Sequence, residues 1–158
     1  LSGDEAAANT CAEVIAGFAR AHYYVGPFGS GSKMKYVANH LVAIHNIAAG
    51  EAFVLGMKAG LDAQTIFDVI ADSAGTSRMF EVRGPMMVAD DYSEATMKIS
   101  TWQKDMDIIG AFAKNLDCPT PLLNTCADIY TAGMAQGRAN EDTAAVCAIL
   151  AESARLKR

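Results

Sequence analysis

Gly26-Pro27-Phe28-Gly29-Ser30-Gly31-Ser32-Lys33-Met34-Lys35, followed four residues later by Asn39, joins a glycine-rich loop to a long apolar stretch. Glycines free the backbone of the loop, and apolar residues recur beyond it at helical spacing, so a flexible entry leads into a helix. Lys35 and Asn39 then lie one above the other on a single helix face. An ammonium and an amide so placed can flank one small polar substrate. The cation faces an oxygen that gains or loses a proton, and the amide fixes the substrate's orientation. Taken alone, Lys35 reads as a solvated surface lysine and the glycines as a hinge.

Working outward, the periodicity is almost entirely helical. Asp4 or Ser2 can cap a first helix running to about Arg20, and Tyr23-Tyr24-Val25 reads as the one strand, stopped by Gly26-Pro27. A second helix runs from about Ser32 to Ala59, with Val37, Leu41, Ile44, Ala48, Phe53 and Leu55 near helical spacing and Gly60 as a left-handed cap. It is apolar nearly all round, so it is expected to be central and wrapped on several sides. Asp62 caps a third helix to about Ser73. A fourth covers Arg78 to Val88, a fifth Ile99 to Leu116, stopped by Pro119 and Pro121, and a sixth Leu122 to Gly137. Asn140 or Asp142 caps the last. The fold class is all-α: a helical bundle around one long helix, with a short αβ segment at the N-terminus.

Length and composition bound the rest. The chain has 158 residues, 51% of them hydrophobic and 20% charged, enough to bury a core. A net charge of -5, with no basic cluster beyond Arg155-Leu156-Lys157-Arg158, argues against nucleic acid and anionic membranes as partners. Cys11, Cys118, Cys126 and Cys147 form no CxxC and no zinc spacing, so they read as buried reduced thiols of a cytoplasmic protein. His40 and His45, five apart, turn away from one another on a helix, and no metal is assigned. Glu51, within the apolar helix, reads as a buried, satisfied carboxylate. The chain begins at Leu1 rather than a methionine and is expected to be part of something larger.

The loop is not one of the common phosphate binders. A P-loop needs Gly-Lys-Ser/Thr, whereas here Gly31 is followed by Ser32-Lys33. A dinucleotide fingerprint needs a third glycine where Met34 stands, and an acidic residue closing a second strand.

Residues 26–39 are instead similar to the loop-and-helix motif GxxGxGxxxKxxxN of the β-hydroxyacid dehydrogenases, the family of 3-hydroxyisobutyrate dehydrogenase and tartronate semialdehyde reductase. Every fixed position is filled. Glu51-Ala52, Gly60-Leu61-Asp62 and Lys104-Asp105 resemble that family's later signatures, in order and at similar separations, so the resemblance spans nearly the whole chain. It implies a 6-phosphogluconate dehydrogenase-like helical C-terminal domain built on one long interdomain helix, which closes over a Rossmann domain holding NAD or NADP. Residues 1–25 would then be the last helix and strand of the nucleotide-binding domain, 26–31 a hinge, and 32–158 the helical substrate and dimerisation domain.

The resemblance also implies roles. Lys35 would be the catalytic acid/base, taking the hydroxyl proton of a small 3-hydroxy acid as hydride leaves for the nicotinamide. Gly31 and Asn39 would bind substrate, Lys104 would reach the cofactor, and Asp105 would hold the surrounding helices. An ordinary lysine is protonated at neutral pH, so either the closed cleft lowers its pKa or a retained charge stabilises the developing alkoxide. Two departures stand out. The family's GxGxxG and Ser-Gly-Gly motifs have no match in this chain, and Met97 stands where many members place an aromatic residue. Without the nucleotide domain the chain is expected to be inactive by itself. The rival reading is a non-catalytic helical module whose function is dimerisation; a homo-oligomer is expected in either case.

Overall fold

The structure, a computed structural model, describes residues 1–158 and divides them into two compact units, Leu1–Asn39 and His40–Arg158. It is built of eight α-helices and one 3-10 turn, in agreement with the all-α expectation.

The first unit holds α1 (Glu5–Thr10), α2 (Ala12–Ala16) and the opening turns of α3 (Ser30–Lys58). Asp4 caps α1, its carboxylate accepting the Ala7 N–H at 2.7 Å. The helix expected to reach Arg20 stops at Ala16, where Gly17 donates to Val14 O in a tighter turn. The expected strand at Tyr23–Val25 does not form. Its backbone meets only the three residues Leu1–Gly3, through Val25 N–H to Leu1 O at 2.9 Å and Gly3 N–H to Gly26 O at 3.0 Å. Such a short pairing does not amount to a ladder. No residue of this unit is buried, and Val14, Phe18, Tyr23 and Phe28 are exposed.

In the second unit, the rest of α3 buries Ala43, Asn46, Ile47, Gly50, Phe53 and Val54 on one face. Leu41, Ala48, Glu51 and Leu55 recur along the other face and are exposed. The helix is therefore not wrapped on several sides, and Glu51 is not buried: within this unit the other helices cover one stripe only. Two glycines permit the approach. A Cβ on Gly50 would stand 3.2 Å from the Cys147 backbone nitrogen, and one on Gly56 would stand 2.6 Å from Ile66 Cδ1. Gly60 ends the helix as expected, with φ +89°, Gly60 N–H bonded to Met57 O and Leu61 N–H to Gly56 O.

The remaining elements are α4 (Ala63–Ala71), α5 (Arg78–Ala89), α6 (Ile99–Asn115), α7 (Pro121–Ala135), a 3-10 turn (Thr143–Ala145) and α8 (Val146–Ser153). Asp62 and Ser77 cap α4 and α5 through their side chains, and of the two candidates for the last helix it is Asp142 that caps, accepting from Ala144 N–H. Phe53 stacks on Phe80 at 5.3 Å and Phe67 on Phe80 at 5.8 Å, while Trp102 meets Tyr130 edge-on at 6.2 Å. Met87 is fully buried, Met79 and Met86 only partly. Of the cysteines, Cys126 and Cys147 are buried but Cys11 and Cys118 are exposed, because the latter two sit at helix ends rather than on core faces.

A polar cluster runs through this core. Arg83 Nε donates to Asp142 Oδ1 and to Thr143 Oγ1, both at 2.9 Å. Asn46 on α3 donates to Tyr130 Oη at 3.2 Å and Thr143 Oγ1 at 3.3 Å. The other Asp142 oxygen accepts from Thr96 N–H, Thr96 Oγ1 and Met97 N–H at 2.9, 2.9 and 3.1 Å. Burial alone would raise the Asp142 pKa, but the Ala144 amide, the Arg83 guanidinium, the Met97 amide and the Thr96 hydroxyl outweigh it and hold it below the ordinary carboxylate value.

Because the folded-state pKa of Asp142 lies below that of the unfolded chain, the stabilisation is present above about pH 4 and is lost as pH falls through the folded value. Asp142→Asn leaves Arg83 buried without its counter-charge and is expected to lower the unfolding free energy at neutral pH by about 3–5 kcal/mol. Urea unfolding at a series of pH values should show that loss, and a shallower decline of stability toward acid than in the parent chain.

Candidate active site

The loop that opens α3 is held by its own backbone. Ser30 N–H donates to Pro27 O at 3.0 Å, and Gly26 and Gly29 adopt φ +115° and +92°, where a side chain would be strained. Gly31 has an ordinary φ but little room, since a Cβ there would stand 3.0 Å from Ser2 Oγ. The two glycines of Gly29-Ser30-Gly31 thus serve different ends, one conformation and the other space.

Four residues beyond Gly31 comes Lys35, exposed on α3, and one turn further Asn39, half-buried. Gly31, Lys35 and Asn39 are therefore gathered on one loop-and-helix segment of the first unit. Lys104 and Asp105 belong to α6, in the second unit. Ile99, Trp102, Met106, Ile109 and Ala113 form the buried stripe of that helix, which leaves Lys104 exposed and Asp105 half-buried beside it. Trp102 is 2% exposed and packs on Tyr130, so it secures a helix crossing close to Lys104.

Elsewhere in the helical unit, a cavity of about 360 Å³ is lined by His45, the alanines of α3, Thr76, Ser77 and Phe80. His45 thus takes a place at the core edge. An apolar groove of about 530 Å³ lies between α3 and α4, lined by Leu55, Gly56, Leu61, Ile66 and Val69. The buried thiol of Cys126 is pushed up to about 11, by burial first and by Glu51 second, and stays protonated. Burial likewise raises the Tyr130 phenol, which remains neutral and accepts from Asn46.

Sequence reasoning missed the Arg83–Asp142–Asn46 cluster. A signal existed: an arginine and an asparagine placed on the apolar stripes of α5 and α3, where an unpaired polar group is costly.

The chain matches a family model described as NAD-binding of NADP-dependent 3-hydroxyisobutyrate dehydrogenase over residues 29–150, a match that opens within the glycine loop. The chain belongs to the 3-hydroxyisobutyrate dehydrogenase family. It is 33% identical over 149 residues to an L-threonate dehydrogenase of Cupriavidus necator, covering 94% of this chain and 50% of that protein. Among solved structures, the 3-hydroxyisobutyrate dehydrogenase of Salmonella typhimurium superposes with a TM-score of 0.87 at 33% identity, covering 94% of this chain and 52% of that one. The 3-hydroxyisobutyrate dehydrogenase of Mycobacterium tuberculosis, solved with L-serine, gives 0.81 at 29% identity, covering 94% and 53%. The chain thus spans about half the length of the relatives it matches. Those relatives are dehydrogenases of small hydroxy acids.

The loop geometry is open to a direct check. Gly29→Ala forces a side chain into φ +92° and is expected to cost about 1–2 kcal/mol. Gly110→Ala, in mid-helix with no neighbour within 4 Å of the added Cβ, should stabilise by up to about 1 kcal/mol. Thermal melts of the two variants should therefore shift in opposite directions.

Proposed function

We propose that this chain is the helical part of an NAD(P)-dependent oxidoreductase that moves a hydride between the nicotinamide and a small 3-hydroxy acid of the 3-hydroxyisobutyrate type. The observation that carries the reading is the loop-and-helix segment with Gly31, Lys35 and Asn39 in place, within a chain that belongs to this family. Residues 1–25 belong to the nucleotide-binding domain and 26–31 form the hinge. The exposed Val14, Phe18, Tyr23 and Phe28 support this, because they are apolar surface that further nucleotide-domain structure would cover. The setting is the cytoplasm.

A bound NAD(P) would supply the acceptor for the hydride that the substrate C–H bond gives up in the forward direction. The hydroxyl proton leaves in the same process, and carbinol becomes carbonyl. Lys35 receives that proton if its amine is neutral; if it is charged, it stabilises the alkoxide and the proton passes to solvent water. Gly31, where Ser2 takes the space of the missing side chain, would meet the substrate through its backbone, and Asn39 orients it. Lys104 fits the cofactor because its ammonium is exposed and its helix is secured by Trp102, which suits contact with an oxygen of the nucleotide. Asp105 supports the helices around it. The dinucleotide glycine motif is absent from these residues, so the greater part of the cofactor is held by chain outside them, and this chain by itself does not turn over.

A second reading, helix-mediated association, is favoured by the exposed stripe Leu41, Ala48 and Leu55 and by the apolar groove beside it. It is compatible with the first, since a dehydrogenase can associate through the same helix.

In the complete enzyme, Lys35→Ala is expected to lower kcat by roughly a hundred- to ten-thousand-fold with cofactor affinity nearly unchanged, because the lost interaction belongs to the transition state. Lys35→Arg should not restore a proton-transfer role, since arginine keeps its proton. Asn39→Ala should mainly weaken substrate use. Near-normal kcat in Lys35→Ala, with the fold intact, would overturn the assignment. Sedimentation of the chain at micromolar concentration should show dimers or larger species, and a purely monomeric boundary would count against association.

A further inference from the structure

Helix α6 does not cap itself. Lys98 occupies its N-cap position without a side-chain hydrogen bond, and the first helical amides look elsewhere: Ile99 N–H donates to Glu141 O at 3.1 Å and Ser100 N–H to Ala139 O at 3.0 Å. The residues just before the helix are held by the same distant segment. Thr96 and Met97 donate to Asp142 Oδ2, and Thr143 N–H returns a bond to Met97 O at 2.9 Å. Residues 139–143 therefore decide where α6 begins, and Asp142 is the side chain on which that segment is organised.

Every group that meets this carboxylate is a donor: the amides of Thr96, Met97 and Ala144, the hydroxyls of Thr96 and Thr143, and Arg83 Nε. Only an acceptor on both oxygens satisfies them all. Arg83, reaching in from α5, fixes the carboxylate in turn, with 8% of its side chain exposed against 0% for Asp142.

The start of a helix sets the rotation of everything in its first turns, since a slip of one residue turns each side chain by about 100° and moves it about 1.5 Å along the axis. Lys104 lies five residues beyond Ile99, within reach of that effect. We propose that Asp142, held by Arg83, is the positioning residue for Lys104: it sets the register of α6 and so the direction in which the Lys104 ammonium meets the nicotinamide cofactor. The inference rests on the cofactor role proposed above for Lys104 and extends it to a buried pair that does not touch the cofactor.

The test is a double-mutant cycle in the complete enzyme, with kcat and the KM for NADH and for NADPH measured for Lys104→Ala, Asp142→Asn and the double variant, per active site. Asp142→Asn is expected to raise the KM of the preferred cofactor roughly fivefold or more with kcat within about threefold, and to add less than about twofold once Lys104 is already alanine. A Trp102 emission shift in the 158-residue chain should accompany it, as that is its one tryptophan and it lies on α6. If Asp142→Asn fails to fold, Thr96→Val removes one hydroxyl donor while keeping the ion pair, and should show the same pattern at smaller size. A purely stabilising Asp142 would lower the fraction of active enzyme and leave both KM values unmoved, or would combine additively with Lys104→Ala; either result overturns the inference and leaves the role of Lys104 standing. An unchanged cofactor KM in Lys104→Ala would remove that role and the inference together.

Discussion

The helical unit depends on one buried carboxylate. Asp142 is inaccessible to solvent, yet its pKa lies below the ordinary value, because backbone amides, a hydroxyl and the Arg83 guanidinium converge on it. A buried charge is tolerable only when its lone pairs are met, and here three separated stretches of chain meet them: α5 through Arg83, the approach to α6 through Thr96 and Met97, and the 3-10 turn through Ala144. Thr143 extends the arrangement to Asn46, which ties in α3. Apolar packing brings these elements together without direction; the hydrogen bonds select the angles at which they stay.

Around this centre the packing is close where the sequence is small. Gly50 and Gly56 admit neighbouring elements to α3, and Gly133 does the same on α7, where a Cβ would stand 2.5 Å from Ile149 Cδ1. The aromatic stack of Phe53, Phe80 and Phe67 fills the space between α3, α4 and α5. α3 is long and apolar enough to cross a membrane by length and composition alone. In a chain of this family its buried stripe and exposed apolar stripe read as two packing faces, one used within the unit and the other available to a second body.

The chemistry proposed for the chain needs little from the protein beyond placement. A lysine and an amide one helical turn apart form a rigid pair because they share a helix rather than a loop. Lys104 is placed differently, by a helix whose start is settled by hydrogen bonds from residues about forty positions later in the chain. Local sequence organises the first group. Long-range contacts organise the second.

That difference separates what the sequence by itself determined from what only the tertiary structure decided. Several helix limits were legible because they rest on neighbours in the chain: Asp4, Asp62 and Asp142 cap through their own side chains, and Gly60 takes the left-handed conformation that ends α3, although the first helix breaks at Cys11 and stops short of Arg20. The loop-and-helix motif was legible for the same reason, and with it the family. The strand at Tyr23–Val25 was misread, because an apolar β-prone run becomes a strand only if other strands pair with it, which propensity does not report. The burial of α3 was also misread: hydrophobic residues all round a helix say that cover is wanted, not which cover the unit supplies. Arg83 on an apolar stripe signals that a buried acceptor is needed, but that the acceptor is Asp142, 59 residues away, only the packed chain decides.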